Sequence, residues 1–219
     1  MATIYANSSD GWVANSNANW ATCRDSISGS TVSSSGTVYI FGVRADVVSG
    51  RGGTTYYVVR SFFSFDCSGI TQLVEDASLR IYGGTNSSGD VIAVEATGAI
   101  SSLGTVDFDA ITGWSAGSAD GSGAGDNESN VTKYSDEIDS WSTSGYNIIP
   151  LNSTAKAKML SRDTLNVCLM NYDQDLKDIA PTGTNRNGLY YQNYTGTSRD
   201  PLIRYDLSLS NAVFMGTNF

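Results

Sequence analysis

Polar and apolar residues alternate most strictly between Tyr57 and Asp66. Tyr57, Val59, Ser61, Phe63 and Phe65 fall on one side, and Val58, Arg60, Phe62, Ser64 and Asp66 on the other. Period two in β-branched and aromatic residues predicts a strand with one face on a core. The run starts at Thr55, holds the densest aromatic content of the chain and contains no Gly or Pro, so it is read as the central strand. The other segments are strands packed around it or loops returning to it. Residues 3–5 predict a short opening strand, 7–19 a polar loop, 20–23 a second strand and 28–36 a turn segment. Residues 37–43 predict a strand that the turn Gly50-Arg51-Gly52-Gly53 joins to the central one as a hairpin.

Residues 77–82 alternate again, with Ala77, Leu79 and Ile81 inward and Gly83-Gly84 at the end. Further strands are predicted at 90–95, at 106–114, and at 146–151, the last an edge strand because Pro150 cannot donate to a ladder. Residues 153–160 read as the one helix, with Ser153 as its N-cap and Ala, Lys, Met and Leu as helix formers. Strands at 164–170, 189–191 and 201–207 close the sheet system. Many short strands, long connections and one helix predict an all-β fold, a jelly-roll-like antiparallel β-sandwich with one short helix. A single domain spans residues 1–207, with no second core and no linker, and residues 208–219 form a C-terminal tail.

Composition agrees and narrows the function. In 219 residues, 23 are Gly and only 3 are Pro, a mixture that supplies turns to a strand-rich chain. The net charge of -9 argues against nucleic acid, which needs a basic face, and against an anionic membrane surface. The absence of histidine excludes Ser-His, Cys-His and His-metal arrangements. Cys23, Cys67 and Cys168 lie far apart and read as small buried apolar residues. The opening residues show no charged and then apolar leader pattern, which sets the expectation of a chain made in a cytoplasm. Asn-x-Ser/Thr sequences such as Asn130-Val131-Thr132 follow from a composition rich in all three residues.

Four sets of side chains are candidates for chemistry. Asp136, Glu137 and Asp139, or Asp173, Asp175 and Asp178, contain the paired carboxylates that a glycosidase needs. Both sets sit in loop-like stretches and read as solvated charge, so no enzyme is expected. Asp120, Asp126, Asn127 and Glu128, in the Gly-rich stretch 115–130, offer the oxygen ligands of calcium without the spacing of an EF-hand, and no cofactor is expected beyond such a structural ion. Trp12, Trp20, Trp114 and Trp141 form a carbohydrate platform if at least two are exposed and coplanar; otherwise they cap the core or lie in a subunit interface. Tyr190, Tyr191 and Tyr194 cluster near the end. Arg60 and Asp66, on one strand face with Phe62 and Ser64, each need a structural partner, with Arg199 or Asp200 as the expected mates.

The run from Arg60 to Ile70, Arg-Ser-Phe-Phe-Ser-Phe-Asp-Cys-Ser-Gly-Ile, followed by Ala77-Ser78-Leu79-Arg80-Ile81-Tyr82, resembles the DNRLRE-type β-sandwich modules, which are similar to carbohydrate-binding modules. Their pattern runs Arg-Ser-Phe-Leu-x-Phe-Asp, a short bend, then Ala-x-Leu-x-Leu-Tyr. The run from Gly196 to Tyr205 is similar to the family's closing strand, and Trp141-Ser142-Thr143-Ser144-Gly145-Tyr146-Asn147 to the segment before its later strands. The resemblance covers the chain up to Leu207. Two departures stand out: the bend at 71–76 lacks the family's Pro, and residues 208–219 extend past the last strand.

Family members of this length resemble virion surface proteins of tailed bacteriophages. The resemblance therefore implies a non-enzymatic capsid decoration (cement) protein, assembled in the host cytoplasm and displayed on the virion surface. Its partners would be the major capsid protein or other virion proteins, bound by a homo-oligomer, a trimer, through several small interfaces. Ile4, Tyr5, Val213, Phe214, Met215 and Phe219, in the terminal segments, are the expected contact residues. The alternatives are a head or tail fibre component, or a module that binds host-surface glycans.

Overall fold

The computed structural model describes residues 1–97, 102–115, 127–161 and 163–208. Its elements are β1 (Ala2–Tyr5), β2 (Gly11–Asn17), α1 (Trp20–Arg24), β3 (Thr31–Ser33), β4 (Val38–Gly50), β5 (Gly53–Asp66), β6 (Val74–Ser87), β7 (Val91–Glu95), β8 (Tyr146–Pro150), α2 (Ser153–Ser161), β9 (Thr164–Asn171), β10 (Arg186–Tyr190) and β11 (Leu202–Leu207). A 3-10 turn at Thr105–Asp109 and a π turn at Tyr172–Leu176 lie between strands. All pairings between these strands are antiparallel, and the fold is an all-β, jelly-roll-like sandwich. Among the described residues no helix is long and apolar enough to cross a membrane.

The central strand is β5, as its pattern predicts. Val58 and Val59 pair with β2 on one side and β4 on the other, while Ser61 and Phe62 pair with β2 and β9. At Arg44, therefore, β4 leaves β5 for β10, and β9 takes its place. The back layer runs β3-β2-β5-β9-β7, and the front layer β1-β11-β6-β8. Strands that change layer in this way make the corners of a sandwich.

Both faces of β5, β9 and β7 are buried, which corrects the expectation of one buried face. Phe63 and Phe65 of β5, Leu165, Val167 and Leu169 of β9, and Val91 and Ala93 of β7 point into the core between the layers. There they meet Leu79, Ile81, Ile149 and Ile203. The alternate residues Val58, Phe62, Ile92, Val94, Cys168 and Met170 point outward into a second apolar cluster, covered by Trp20 and Cys23 of α1, Phe108 of the 3-10 turn, and Leu176. Period two divides each strand between the two clusters.

Several local expectations are corrected. Residues 7–19 contain a full strand, β2. Residues 20–23 are helical: Asn19 Oδ1 accepts the Thr22 N–H at 3.0 Å as N-cap, and Trp20, Cys23 and Arg24 bury one face at i, i+3, i+4 spacing. This makes α1 a second helix. The turn segment 28–36 holds β3, and 106–114 holds the 3-10 turn in place of a strand. The cap of α2 is Asn152, whose Oδ1 accepts the Ala155 N–H at 3.0 Å, one residue before the Ser153 expected.

Gly83-Gly84 does not end β6, which runs on to Ser87. Gly83 is needed because the Ser142 carbonyl oxygen occupies the place its Cβ would take. Gly83→Ala is expected to lower stability by about 1–3 kcal/mol, measured as a shift of the urea unfolding midpoint at unchanged slope; an unchanged midpoint would show that the approach is not tight.

Candidate functional site

Arg60 is fully buried and points away from the inter-layer core, among the residues of the outer cluster. Its Nε donates to Asp175 Oδ2 at 2.8 Å and its Nη2 to Asp175 Oδ1 at 2.7 Å, a bidentate fork. Nη1 donates to the Phe108 carbonyl at 2.7 Å and Nη2 to the Arg24 carbonyl at 3.1 Å. The guanidinium lies 4.2 Å from the Phe108 ring centroid and 4.1 Å from that of Trp114. Asp175 reaches this position on the π turn, capped by Asn171, whose Oδ1 accepts the Gln174 N–H at 2.8 Å. The partner of Arg60 is thus Asp175, not Arg199 or Asp200, because β5 turns Arg60 toward the outer cluster.

Arg24 adds a second tie. Its Nε donates to the Asp175 carbonyl at 2.5 Å, its Nη1 to Asp25 Oδ1 at 2.5 Å, and its Nη2 to the Leu176 carbonyl at 3.2 Å. Asp178, at φ 58, accepts from Trp20 Nε1 at 2.9 Å. Asp175 and Asp178 are structural, which corrects their reading as solvated charge.

Asp136, Glu137 and Asp139 are exposed. Glu137 joins Asp173 and Asp90, with oxygens of the three within 4.8 Å of one another. Burial, then the charge of Asp173, pushes Asp90 up, and burial, then Asp173 and Asp90, pushes Glu137 up. Lys177 Nζ lies 3.3 Å from Asp173 and supplies a counter-charge. Of the calcium candidates, Asp120 and Asp126 lie outside the described residues. Asn127 Oδ1 accepts the Ser115 N–H at 2.9 Å, and Glu128 bonds Lys133 and Tyr172. All three cysteines are buried and free, and burial pushes Cys23 up to about 12 and Cys67 up to about 11.

None of the four tryptophans is exposed, so the pair of exposed coplanar rings is absent. Trp20 and Trp141 are buried, the latter donating Nε1 to the Gly188 carbonyl at 3.1 Å. Trp114 covers the two arginines. Trp12 stacks on Tyr39, with ring centroids 4.2 Å apart and planes 9° apart. These two rings line a groove of about 190 Å³ with Phe41, Tyr57, Arg44 and Asn15. Arg44 lies 3.9 Å from the Tyr57 centroid and pairs with Asp46 at 2.6 Å.

The outer face of the front layer presents a different surface. Register places Tyr5, Leu202, Arg80 and Ile148 side by side in one row, Thr3, Arg204, Ser78 and Pro150 in the next, and Tyr82 beside Tyr146 on the other flank. Tyr5 is 45% exposed and Ile148 53%. Arg199 lies about 5 Å from the rings of Tyr82, Tyr190 and Tyr194 and donates to Tyr190 Oη at 2.6 Å. Among the described residues Arg80, Arg199 and Arg204 form no salt bridge.

Of the expected contact residues, Tyr5 is exposed. Ile4 is not: it lies in the inward row with Ile203, Leu79 and Ile149 and packs on the core. Val213, Phe214, Met215 and Phe219 lie outside the described residues. Arg80, Tyr82, Tyr146 and Ile148 complete this face without having been expected from the sequence. The inward assignment of Ala77, Leu79 and Ile81 already implied that Arg80 and Tyr82 face outward.

Comparison of the chain with protein-family models and with curated proteins finds no match in either.

Arg60→Met alone leaves Asp175 buried without its partner and is expected to cost about 3–5 kcal/mol. Arg60→Met combined with Asp175→Leu should recover much of that loss, because no charge is then stranded. Urea unfolding of the two single variants and the double variant checks this coupling; strictly additive losses would contradict it.

Proposed function

We propose that the protein is a non-enzymatic structural protein of a bacteriophage particle, a decoration protein that docks on the outer shell and stabilises it. The observation that carries this reading is the outer face of the front layer. Exposed Tyr5 and Ile148 stand there beside Arg80 and Arg204, which form no salt bridge among the described residues. Tyrosine and arginine around an apolar centre are the composition of interface hot spots. The resemblance to DNRLRE-type modules supports the setting, since members of this length resemble virion surface proteins.

The partner is the major capsid protein or another virion protein, which the chain meets as a trimer after assembly in the host cytoplasm. Small interfaces then add by multivalency. A net charge of -9 agrees with a partner that is neither nucleic acid nor membrane. A fibre component on the same particle would use the same face at far lower copy number.

The second reading is glycan binding, favoured by the groove beside the stacked Trp12 and Tyr39. It predicts that host-surface glycans quench tryptophan fluorescence in the wild type and not in Trp12→Ala.

The copy number of the chain in purified particles, by quantitative mass spectrometry, is expected to approach that of the shell protein. Ile148→Asp with Arg80→Glu should reduce occupancy by roughly tenfold or more, the loss that follows from removing one hot spot. A handful of copies per particle points to a fibre, and absence from particles overturns the virion reading.

A further inference from the structure

The groove beside Trp12 and Tyr39 is lined by hydrogen-bond donors that the protein itself leaves unused. Arg44 is 8% exposed, and its Nε donates to Asp46 Oδ1 at 2.6 Å. Among the described residues that is the one hydrogen bond of its side chain, so Nη1 and Nη2 have no acceptor. The Trp12 indole N–H and the Tyr39 and Tyr57 hydroxyls form no hydrogen bond among the described residues either. These three side chains are half-buried and line the same groove as Arg44. Donor nitrogens on a guanidinium this deep are costly to leave unmatched, and a ligand oxygen would match them.

The charge around Arg44 favours an anion. Asp46 is shared by two guanidinium groups, with Arg44 Nε at 2.6 Å and Arg186 Nη1 at 3.7 Å. Both lie over the Phe41 ring, 4.8 Å and 4.6 Å from its centroid. Among the described residues neither arginine pairs with another carboxylate, so two positive charges meet one negative charge. This local excess of positive charge stands in a chain of net charge -9. It is matched by a ligand carrying a single negative charge.

Geometry narrows the ligand further. With Nε taken by Asp46, Arg44 keeps the Nη1–Nη2 end of its fork, whose parallel N–H groups fit two oxygens on one carbon or one phosphorus. The Tyr57 ring centroid lies 3.9 Å from the guanidinium carbon and holds that end in place. A volume of about 190 Å³ is below the roughly 300 Å³ at which drug-sized pockets begin, so the groove takes one small unit and its acid group. Asn15, Ser16 and Thr31 on the wall suit a body that carries hydroxyls.

We propose that the groove binds a small polyhydroxylated monoanion, a carboxylate or a phosphodiester, whose two acid oxygens are held by Nη1 and Nη2 of Arg44. Trp12, Tyr39 and Tyr57 supply donors to the rest of the ligand. The inference names the ligand class of this groove, rests on its reading as a ligand site, and is independent of the front face.

The test titrates the full chain with three probes, read by calorimetry and tryptophan fluorescence: glucuronate, which carries a carboxylate; glucose, the same ring without it; and glycerophosphoglycerol, a phosphodiester. Glucuronate or the phosphodiester is expected to bind roughly tenfold or more tightly than glucose, the effect of hydrogen bonds to a charged group. The tighter of the two identifies the acid group. Arg44→Gln should remove the preference. Tyr57→Phe, which keeps the ring over the guanidinium and takes away only the hydroxyl, should weaken binding by roughly threefold. Arg51→Gln, in the turn between β4 and β5, should leave binding unchanged.

Arg44→Gln leaves Asp46 with only its more distant partner, so its thermal midpoint is measured alongside, and Tyr57→Phe carries the test if that variant unfolds. Equal affinity for glucose and glucuronate overturns the proposal and leaves a groove for neutral sugars. Binding of none of the three probes overturns both the proposal and the glycan reading. An acid preference that survives Arg44→Gln and Tyr57→Phe alike overturns the proposal too, because the anion is then held elsewhere.

Discussion

The fold depends on a charge placed where a sheet would otherwise meet water. Arg60 stands on the outer face of the back layer, fully buried, and its fork is closed by Asp175. A guanidinium in that position needs a carboxylate, carbonyl oxygens and a low-water surround together. The π turn brings the carboxylate, the 3-10 turn brings the Phe108 carbonyl and ring, and α1 brings the Arg24 carbonyl. These three irregular elements have one task in common, to cover and satisfy Arg60. In doing so they also bury Val58, Phe62, Cys168 and Met170. The outer cluster therefore follows from the arginine as much as from the apolar residues beside it.

This explains which parts of the structure were legible in the sequence. The period-two runs of β5, β6, β7 and β9 were readable, because each divides its residues between two environments. The hairpin at Gly50–Gly53 and the edge position of β8 followed from Gly and Pro chemistry. The capped elements were not readable in the same way. Asn19 and Asn152 look like any other Asn in an Asn-rich chain until a backbone N–H is seen against each. The partner of Arg60 was hidden for a different reason: Asp175 is 115 residues away along the chain, and only the π turn orients it. The strand β2 was hidden because its Asn15 and Ser16 line a groove, not a core.

The residues that carry the family resemblance are not the residues that would meet a partner. Arg60, Phe62, Phe63 and Phe65 are buried, so a pattern built on them speaks for a sandwich and leaves the role to the surface. On the surface, two regions differ in character. The Trp12–Tyr39 groove has parallel rings and a polar rim, which suits a sugar. The front face has tyrosines packed edge to face, with interplanar angles of 79° and 88° at Tyr82, so it offers no continuous ring platform. Its exposed isoleucine and its arginines, which form no salt bridge among the described residues, suit a protein surface instead.

The central proposal is that the protein works by docking through this front face, and hydrogen exchange of the chain, free and mixed with purified bacteriophage particles, tests it most directly. The account predicts slowed exchange on binding in β1 and β8, whose outer edges pair with no other strand among the described residues, with β2 and the Trp12–Tyr39 groove unchanged. Protection confined to the groove, or none in β1 and β8, would contradict it.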